Sequence, residues 1–160
     1  MSTLAYMAGD ATAPAGSGSK IIAHVCNDAG GWGRGFAAAL SHRWPEAEAA
    51  YRSWYRAGAD TGFMLGGVRL VSVEPDVRVA NMIGQHGYSR PGAPAVRYEA
   101  LDRALGLLAF VAVELGASVH MPRIGCGLAG GSWDRVEPLI RSNLVKGGVD
   151  VTVYDLPGGR

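Results

Sequence analysis

The chain writes one local pattern twice, and that pattern restricts the architectures open to it. Ile21-Ile22-Ala23-His24-Val25-Cys26 is a nearly continuous apolar run, and the cluster Gly30-Gly31-Trp32-Gly33-Arg34-Gly35 follows it. Ser118 to Ile124 is a second strand-like run, followed by Gly125-Cys126-Gly127-Leu128-Ala129-Gly130-Gly131. Each cluster leads into a segment with helical spacing. Short apolar runs rich in β-branched residues suit strands covered on both faces, as in parallel sheets. The chain carries 24 glycines in 160 residues, about twice the usual ~7%. Glycine serves where the backbone takes positive φ or comes close to a ligand. Tight turns alone do not ask for two such clusters, so function is expected in these loops.

The rest of the chain extends the alternation. Further strands are expected over 2–9, 63–73, 77–83 and 149–154, the third of these bounded upstream by Glu74-Pro75-Asp76. Helices are expected over 36–42, from Pro45 to a C-cap at Gly58, and over 96–115 with Gly116 as its stop. A last helix is expected from a Ser132 cap to Gly147-Gly148, with Pro138 interrupting it early or marking its true start. Ala11 to Ser19 and Gly87 to Ala95 read as loops, and the tail 157–160 as frayed. Alternating strands and helices imply an α/β protein with a largely parallel sheet.

Composition excludes several classes. Hydrophobic residues are 48% and charged residues 18%, a globular balance. Fifteen Lys+Arg against 14 Asp+Glu leave a net charge of +1, which gives no basis for nucleic acid or membrane-surface binding. Cys26 and Cys126 cannot staple a secreted scaffold and form no zinc pattern. The start lacks the build of a signal peptide, and the longest apolar run, Ala104 to Val113, is too short to span a bilayer. The expectation is one cytoplasmic domain over 1–160, a monomer, with no metal and no cofactor.

In an open α/β sheet, ligands sit beyond the carboxyl ends of the strands. Amides of a glycine loop, with the helix start behind it, attract phosphate. Two such loops can grip a diphosphate from both sides. No GxxxxGK[ST] follows a strand, which argues against a P-loop NTPase. Gly125, Gly127 and Gly130 match GxGxxG, with Asp150 further on, but that fingerprint belongs to a first βαβ unit and here it is the last.

Met121-Pro122-Arg123-Ile124-Gly125-Cys126-Gly127-Leu128 resembles a substrate loop of the macrodomain family, on the branch resembling terminal ADP-ribose protein glycohydrolase. Gly9-Asp10, Ile22-Ala23-His24-Val25-Cys26-Asn27 with Gly33 and Gly35, Tyr98-Glu99-Ala100-Leu101 and Val151-Thr152-Val153-Tyr154 resemble other family segments in the same order. The resemblance implies a three-layer α/β/α sandwich around a mixed, largely parallel six-stranded sheet, with an ADP-ribose cleft across its top. It implies that Asp10 and the Ala11 amide serve adenine. Gly125, Cys126, Gly127 and Leu128 wrap the diphosphate, and Asn27, Gly33 and Gly35 face the distal ribose. In the glycohydrolase branch a lysine ends the fourth strand and an aspartate follows Gly-Cys-Gly-Leu. Here those positions hold Gln85 and Ala129, which can supply neither an amine nucleophile nor an acid.

The remaining catalytic candidates are Asn27, Asp28 and His86, with Gln85 kept as a ligand contact. Asn27 could orient water or the distal ribose. Asp28 is a base if it points into the cleft and a loop cap if it does not. His86 has a near-neutral reference pKa beside the missing lysine, or is an exposed loop histidine. Cys126 contributes its amide rather than a thiolate. Trp32 shields the ribose or packs, Tyr154 walls the adenine or belongs to the core, and His24 and Cys26 form a buried pair. Trp44, Tyr51, Trp54 and Tyr55 read as helix packing. The expected activity is removal of mono-ADP-ribose from acidic side chains of modified proteins, the partners being ADP-ribose and ADP-ribosylated proteins. The alternatives are a non-catalytic ADP-ribose reader, a phosphatase or deacetylase acting on ADP-ribose 1″-phosphate or O-acetyl-ADP-ribose, and a dinucleotide-dependent oxidoreductase.

Overall fold

The computed structural model describes residues 2–157; residues 158–160 of the expected frayed tail lie outside them. Six strands run in the order β1 (Leu4–Ala8), β2 (Lys20–Asn27), β3 (Val68–Glu74), β4 (Val77–Gln85), β5 (Ser118–Met121) and β6 (Val151–Asp155). The helices are α1 (Phe36–Arg43), α2 (Pro45–Ala57), α3 (Tyr98–Leu115) and α4 (Trp133–Ile140). The strands form one sheet ordered β1-β6-β5-β2-β4-β3, parallel throughout except for the antiparallel β3–β4 pair at one edge. This is the expected mixed α/β/α sandwich.

The layers follow from the apolar pattern. β2 has both edges paired, with β5 and β4, and both faces covered by helices, so Ile21, Ile22 and Ala23 are fully buried. Its alternation divides them: Ile21 and Ala23 join the core beneath α3 and α4, while Ile22 faces Leu40 and Trp44 on the α1–α2 side. α2 starts at Pro45, whose fixed φ suits a first helical turn, and carries Glu46 and Glu48 near its positive end. It buries Ala47, Tyr51 and Trp54 on one stripe, each aromatic supplying about 1.5–3 kcal/mol of burial. α3 buries seven residues at helical spacing and closes at Gly116, which is left-handed with φ 61°. Ala117 N–H then donates to the Ala112 carbonyl at 2.9 Å, satisfying an end carbonyl.

Several boundaries differ from the expectation. Residues 63–67 form a turn rather than strand, docked on β4 by Gly66 N–H to Ile83 O at 2.7 Å, with Phe63 set among Tyr51, Trp54 and Tyr55. β5 ends at Met121 because Pro122 has no N–H to continue a ladder. Pro138 lies inside α4 rather than breaking it, and the helix then widens into a π turn over Arg141–Val145. Ser132 makes no side-chain cap; its N–H instead donates to the Tyr98 hydroxyl at 3.0 Å.

Candidate functional site

Four connections meet at the carboxyl ends of the parallel strands: 9–19 after β1, 28–35 after β2, 86–97 after β4 and 122–132 after β5. The 122–132 loop is folded by its own glycines. Gly125 (φ 74°) and Gly130 (φ 80°) take the left-handed region. Gly130 N–H closes on Cys126 O and Gly131 N–H on Gly125 O, both at 2.8 Å. A side chain at Gly131 would stand 2.3 Å from the Gly125 carbonyl, so only glycine fits there. The amides of Cys126, Gly127, Leu128 and Ala129 meet no acceptor among the described residues. A Cβ on Gly127 would face open space. Four successive amides without a protein acceptor are donors available to an anion. The Cys126 thiol is pushed up by burial, only partly offset by Arg123, so it stays protonated and the loop offers its backbone rather than a thiolate.

The 28–35 loop hangs from Asn27. Its side-chain oxygen accepts from Ala29 N–H at 2.8 Å and Gly31 N–H at 3.2 Å, and its amide group donates to Gly31 O at 2.6 Å. α2 holds the same loop from outside. The Tyr51 hydroxyl accepts from Gly30 N–H at 3.1 Å and lies 2.7 Å from Asn27 O and 2.9 Å from Asn27 Oδ1. Arg52 donates to Gly30 O at 3.2 Å. The Tyr55 ring occupies the place of a Gly30 side chain, 2.6 Å from where its Cβ would be. Trp32 donates its indole N–H to Ala37 O and packs on His24 and Tyr51, so it is a packing residue. Gly33 and Gly35 are exposed, and Leu128 of the opposite loop reaches within 3.8 Å of a Cβ on Gly35. The two glycine loops therefore approach each other across the sheet top.

At the head of this loop Asp28 and His86 are joined. Asp28 Oδ2 lies 2.7 Å from His86 Nδ1, and Asp28 Oδ1 accepts from Gly87 N–H at 2.8 Å. A break in register between Cys26 and Asn27 sets Asn27 opposite Gln85 and aims this end of β2 at the 86–97 segment. Partial burial pushes the Asp28 carboxyl up, but the hydrogen bonds from His86 and Gly87, with the attraction a charged imidazole ring would add, outweigh it and hold the carboxyl below its usual range. Asp28 is thus the carboxylate that fixes one ring nitrogen of an exposed histidine. Gln85 points elsewhere, donating to Gly87 O at 2.9 Å.

The 86–97 segment bridges the loops. Ala95 and Val96 N–H both donate to Ala129 O at 3.1 Å, and Pro94 packs under Gly130. At its other end the Tyr88 hydroxyl sits against Gly31, where a Cβ would collide with it. On the far side of the cleft, Asp10 Oδ1 accepts from the N–H and hydroxyl of Thr12, each at 2.8 Å, and Ala11 is buried. The Tyr154 hydroxyl accepts from Ala15 N–H at 2.9 Å and pairs with His120 Nδ1 at 2.7 Å. A separate cavity of about 320 Å³ lies at the amino-terminal edge of the sheet, between Ser17, Ser118 and Asp150, and contains none of these residues. Among the described residues no three His, Cys, Asp or Glu side chains converge on a metal position, and no helix is long and apolar enough to cross a membrane.

No family model matches the chain. A solved macrodomain protein from Streptomyces coelicolor is 59% identical, with a TM-score of 0.86 over 96% of this chain and 99% of that one. The chain belongs to the macrodomain family. Mouse chromodomain-helicase-DNA-binding protein 1-like is 32% identical over 95% of this chain, which spans 18% of that protein's length. An ADP-ribose 1″-phosphate phosphatase from Lodderomyces elongisporus is 26% identical over 86% of this chain and 91% of its own.

In this macrodomain the expected site residues all lie on the four carboxyl-end connections or on the strand ends that launch them. Asp28 and His86, 58 residues apart, form one unit. Asn27 is 5% exposed, and its side-chain oxygen and one of its two N–H groups are engaged within the loop, so it shapes the loop. Gln85 is likewise engaged with Gly87. Tyr51 and Tyr55 are site residues that sequence reading assigns to packing, and Arg52 is one that it does not single out. Their i, i+1, i+4 spacing on α2 carries no sign of the site, and only their contacts at Gly30, polar for Tyr51 and Arg52 and through the ring for Tyr55, distinguish them.

Proposed function

We propose that this macrodomain binds ADP-ribose and hydrolyses it from acidic side chains of modified proteins. The observation that carries the reading is the Asp28–His86 pair beside an open loop with four unengaged amides. The amides of Cys126, Gly127, Leu128 and Ala129 would take the diphosphate, and the 28–35 loop would hold the distal ribose. With the Asp28 carboxylate accepting at Nδ1, the His86 ring carries its proton there and leaves Nε2 as a lone pair. Nε2 takes a proton from water, and the resulting hydroxide adds at C1″ of the distal ribose as the C1″–O bond breaks through an oxocarbenium-like state. The departing group is a Glu or Asp carboxylate, a stable anion at neutral pH, and needs no proton donor. That agrees with Ala129 and Gln85, which supply no acid.

The test is calorimetric titration with ADP-ribose, followed by incubation with a glutamate-linked ADP-ribosylated protein. Tight binding with label release supports the hydrolase. Tight binding with the linkage intact makes the protein a reader and refutes the chemistry. The yeast relative's name favours a second reading, removal of phosphate from ADP-ribose 1″-phosphate. The same water and base would serve that reaction, and parallel assays with the two substrates rank them. Residence in the cytoplasm as a monomer is part of the proposal.

A further inference from the structure

We propose that Tyr51 is a positioning residue for the Asp28–His86 pair, acting through Asn27 and Gly30 with Arg52 as a second hold. The inference rests on reading that pair as the reacting unit. Tyr51 is fully buried in the middle of α2, and its ring packs on Trp32 and Phe63 with centroids 5.5 and 5.6 Å away. Core packing explains the ring but not the hydroxyl, which reaches three polar atoms of a single turn. It accepts from Gly30 N–H and shares its one proton between Asn27 O and Asn27 Oδ1. Burial pushes the phenol up, so it remains a donor at working pH.

The consequence runs along the chain. Asn27 immediately precedes Asp28, and Asn27 Oδ1 also holds Ala29 N–H on the other side. Asp28 N–H is itself fixed on Gln85 O at 3.0 Å. Asp28 is therefore bracketed by two residues whose positions depend on one amide oxygen, and that oxygen is anchored by Tyr51. Arg52, donating to Gly30 O, and the Tyr55 ring against Gly30 complete a three-sided grip from a single turn of α2. A carboxylate must meet His86 Nδ1 within hydrogen-bond reach to fix the tautomer, so small loop displacements matter at this place. Besides His86, the titratable and charged groups around Asp28 and Tyr51 include Cys26 and Tyr88, with Arg52 and Tyr55 on the Gly30 side.

The experiment compares Tyr51→Phe and Arg52→Met with the wild type. Each is measured by carbon NMR titration of the labelled Asp28 carboxyl and by steady-state release of ADP-ribose from a glutamate-modified protein. Tyr51→Phe keeps the ring in the core and removes only the hydroxyl. The Asp28 titration is expected to rise toward the ordinary carboxylate range, and the turnover number to fall about tenfold with KM within about twofold. Arg52→Met is expected to move both in the same direction by about two- to threefold. A general loss of stability would leave the Asp28 titration of the folded fraction unmoved. A folded Tyr51→Phe protein with wild-type Asp28 titration overturns the proposal. If Tyr51→Phe does not fold, an unmoved titration in Arg52→Met overturns it. If the titration shifts but the wild type releases no ADP-ribose, the positioning role stands and the hydrolase reading fails.

Discussion

Replacing Asp28 by Asn separates the chemistry of the site from its architecture. The carboxylate serves two donors, His86 Nδ1–H at 2.7 Å and Gly87 N–H at 2.8 Å. An amide has one oxygen. If that oxygen serves Gly87, the new NH2 meets His86 Nδ1 and forces it to accept. The ring proton then moves to Nε2, the nitrogen required to take a proton from water. If the oxygen serves His86, the NH2 faces Gly87 N–H, donor to donor. The first arrangement keeps both hydrogen bonds in the wrong tautomer and with a neutral partner in place of a charged one; the second loses one. The Asp28 and His86 side chains are 20% and 63% exposed, so water replaces part of the loss. The stability cost is about 1 kcal/mol, or a Tm lower by about 2–4 °C for a chain of this size. A general base contributes about 10²–10⁴ in rate, and one this exposed belongs at the lower end. The expected loss is about a hundredfold, ~2.7 kcal/mol at 1.36 kcal/mol per tenfold. The assay is single-turnover release of labelled ADP-ribose from a glutamate-modified protein, with ADP-ribose affinity followed by calorimetry. Affinity within about threefold of wild type is expected, because the diphosphate amides are untouched. A folded Asp28→Asn protein that releases label at the wild-type rate refutes the reasoning.

Gly127→Val and Gly131→Ala are expected to fail in opposite ways. The first meets open space, so its Tm stays within about 2 °C while ADP-ribose affinity falls at least about tenfold as the side chain covers the free amides. The second puts a Cβ 2.3 Å from the Gly125 carbonyl and costs about 1–3 kcal/mol of stability, read as a lower urea midpoint. Affinity retained in Gly127→Val would show that the diphosphate binds elsewhere. Acid is expected to destabilise the fold through His24 and His120. Burial holds each near a pKa of about 4 in the folded state, against 6.5 ordinarily, with the Lys20 charge adding to the effect at His120. The unfolded chain takes these protons first, so stability is whole above about pH 6.5 and declines as pH falls toward about 4. Urea midpoints at about pH 7 and about pH 4.5 check this, and equal midpoints would contradict it.

The elements were legible in the chain where a single physical rule dominates. Ile21–Cys26 is apolar on both faces except at His24 because β2 is covered on both sides, and Gly116 stops α3 because a left-handed residue costs least as glycine. The glycine clusters marked the loops for the same reason, Gly125 and Gly130 having positive φ. Legibility failed where a residue's role lies in its tip. Tyr51 alternates with Ala47 and Trp54 like any core residue, and its hydroxyl contacts at Asn27 leave no periodic trace. The loop-holding role of Asn27 was not legible, because a short polar residue after a strand carries no sign of what its amide will meet. Pro138 read as a break or a helix start, yet it lies within α4, which a pattern of local propensity does not show.

By itself, then, the sequence determined the alternation of strands and helices, the two glycine loops and the amide-based chemistry that such loops permit. These depend on interactions between near neighbours, on apolar spacing and on backbone freedom, which a linear chain displays directly. Only the tertiary structure decided that Asp28 meets His86 across 58 residues, that Asn27 is engaged within its own loop, and that α2 grips Gly30 with three side chains. Those outcomes depend on where β2, β4 and α2 stand once the sheet has closed. Hydrogen bonds are short and directional, so a carboxylate and an imidazole become a pair only after the packing of large apolar surfaces has brought them within 3 Å.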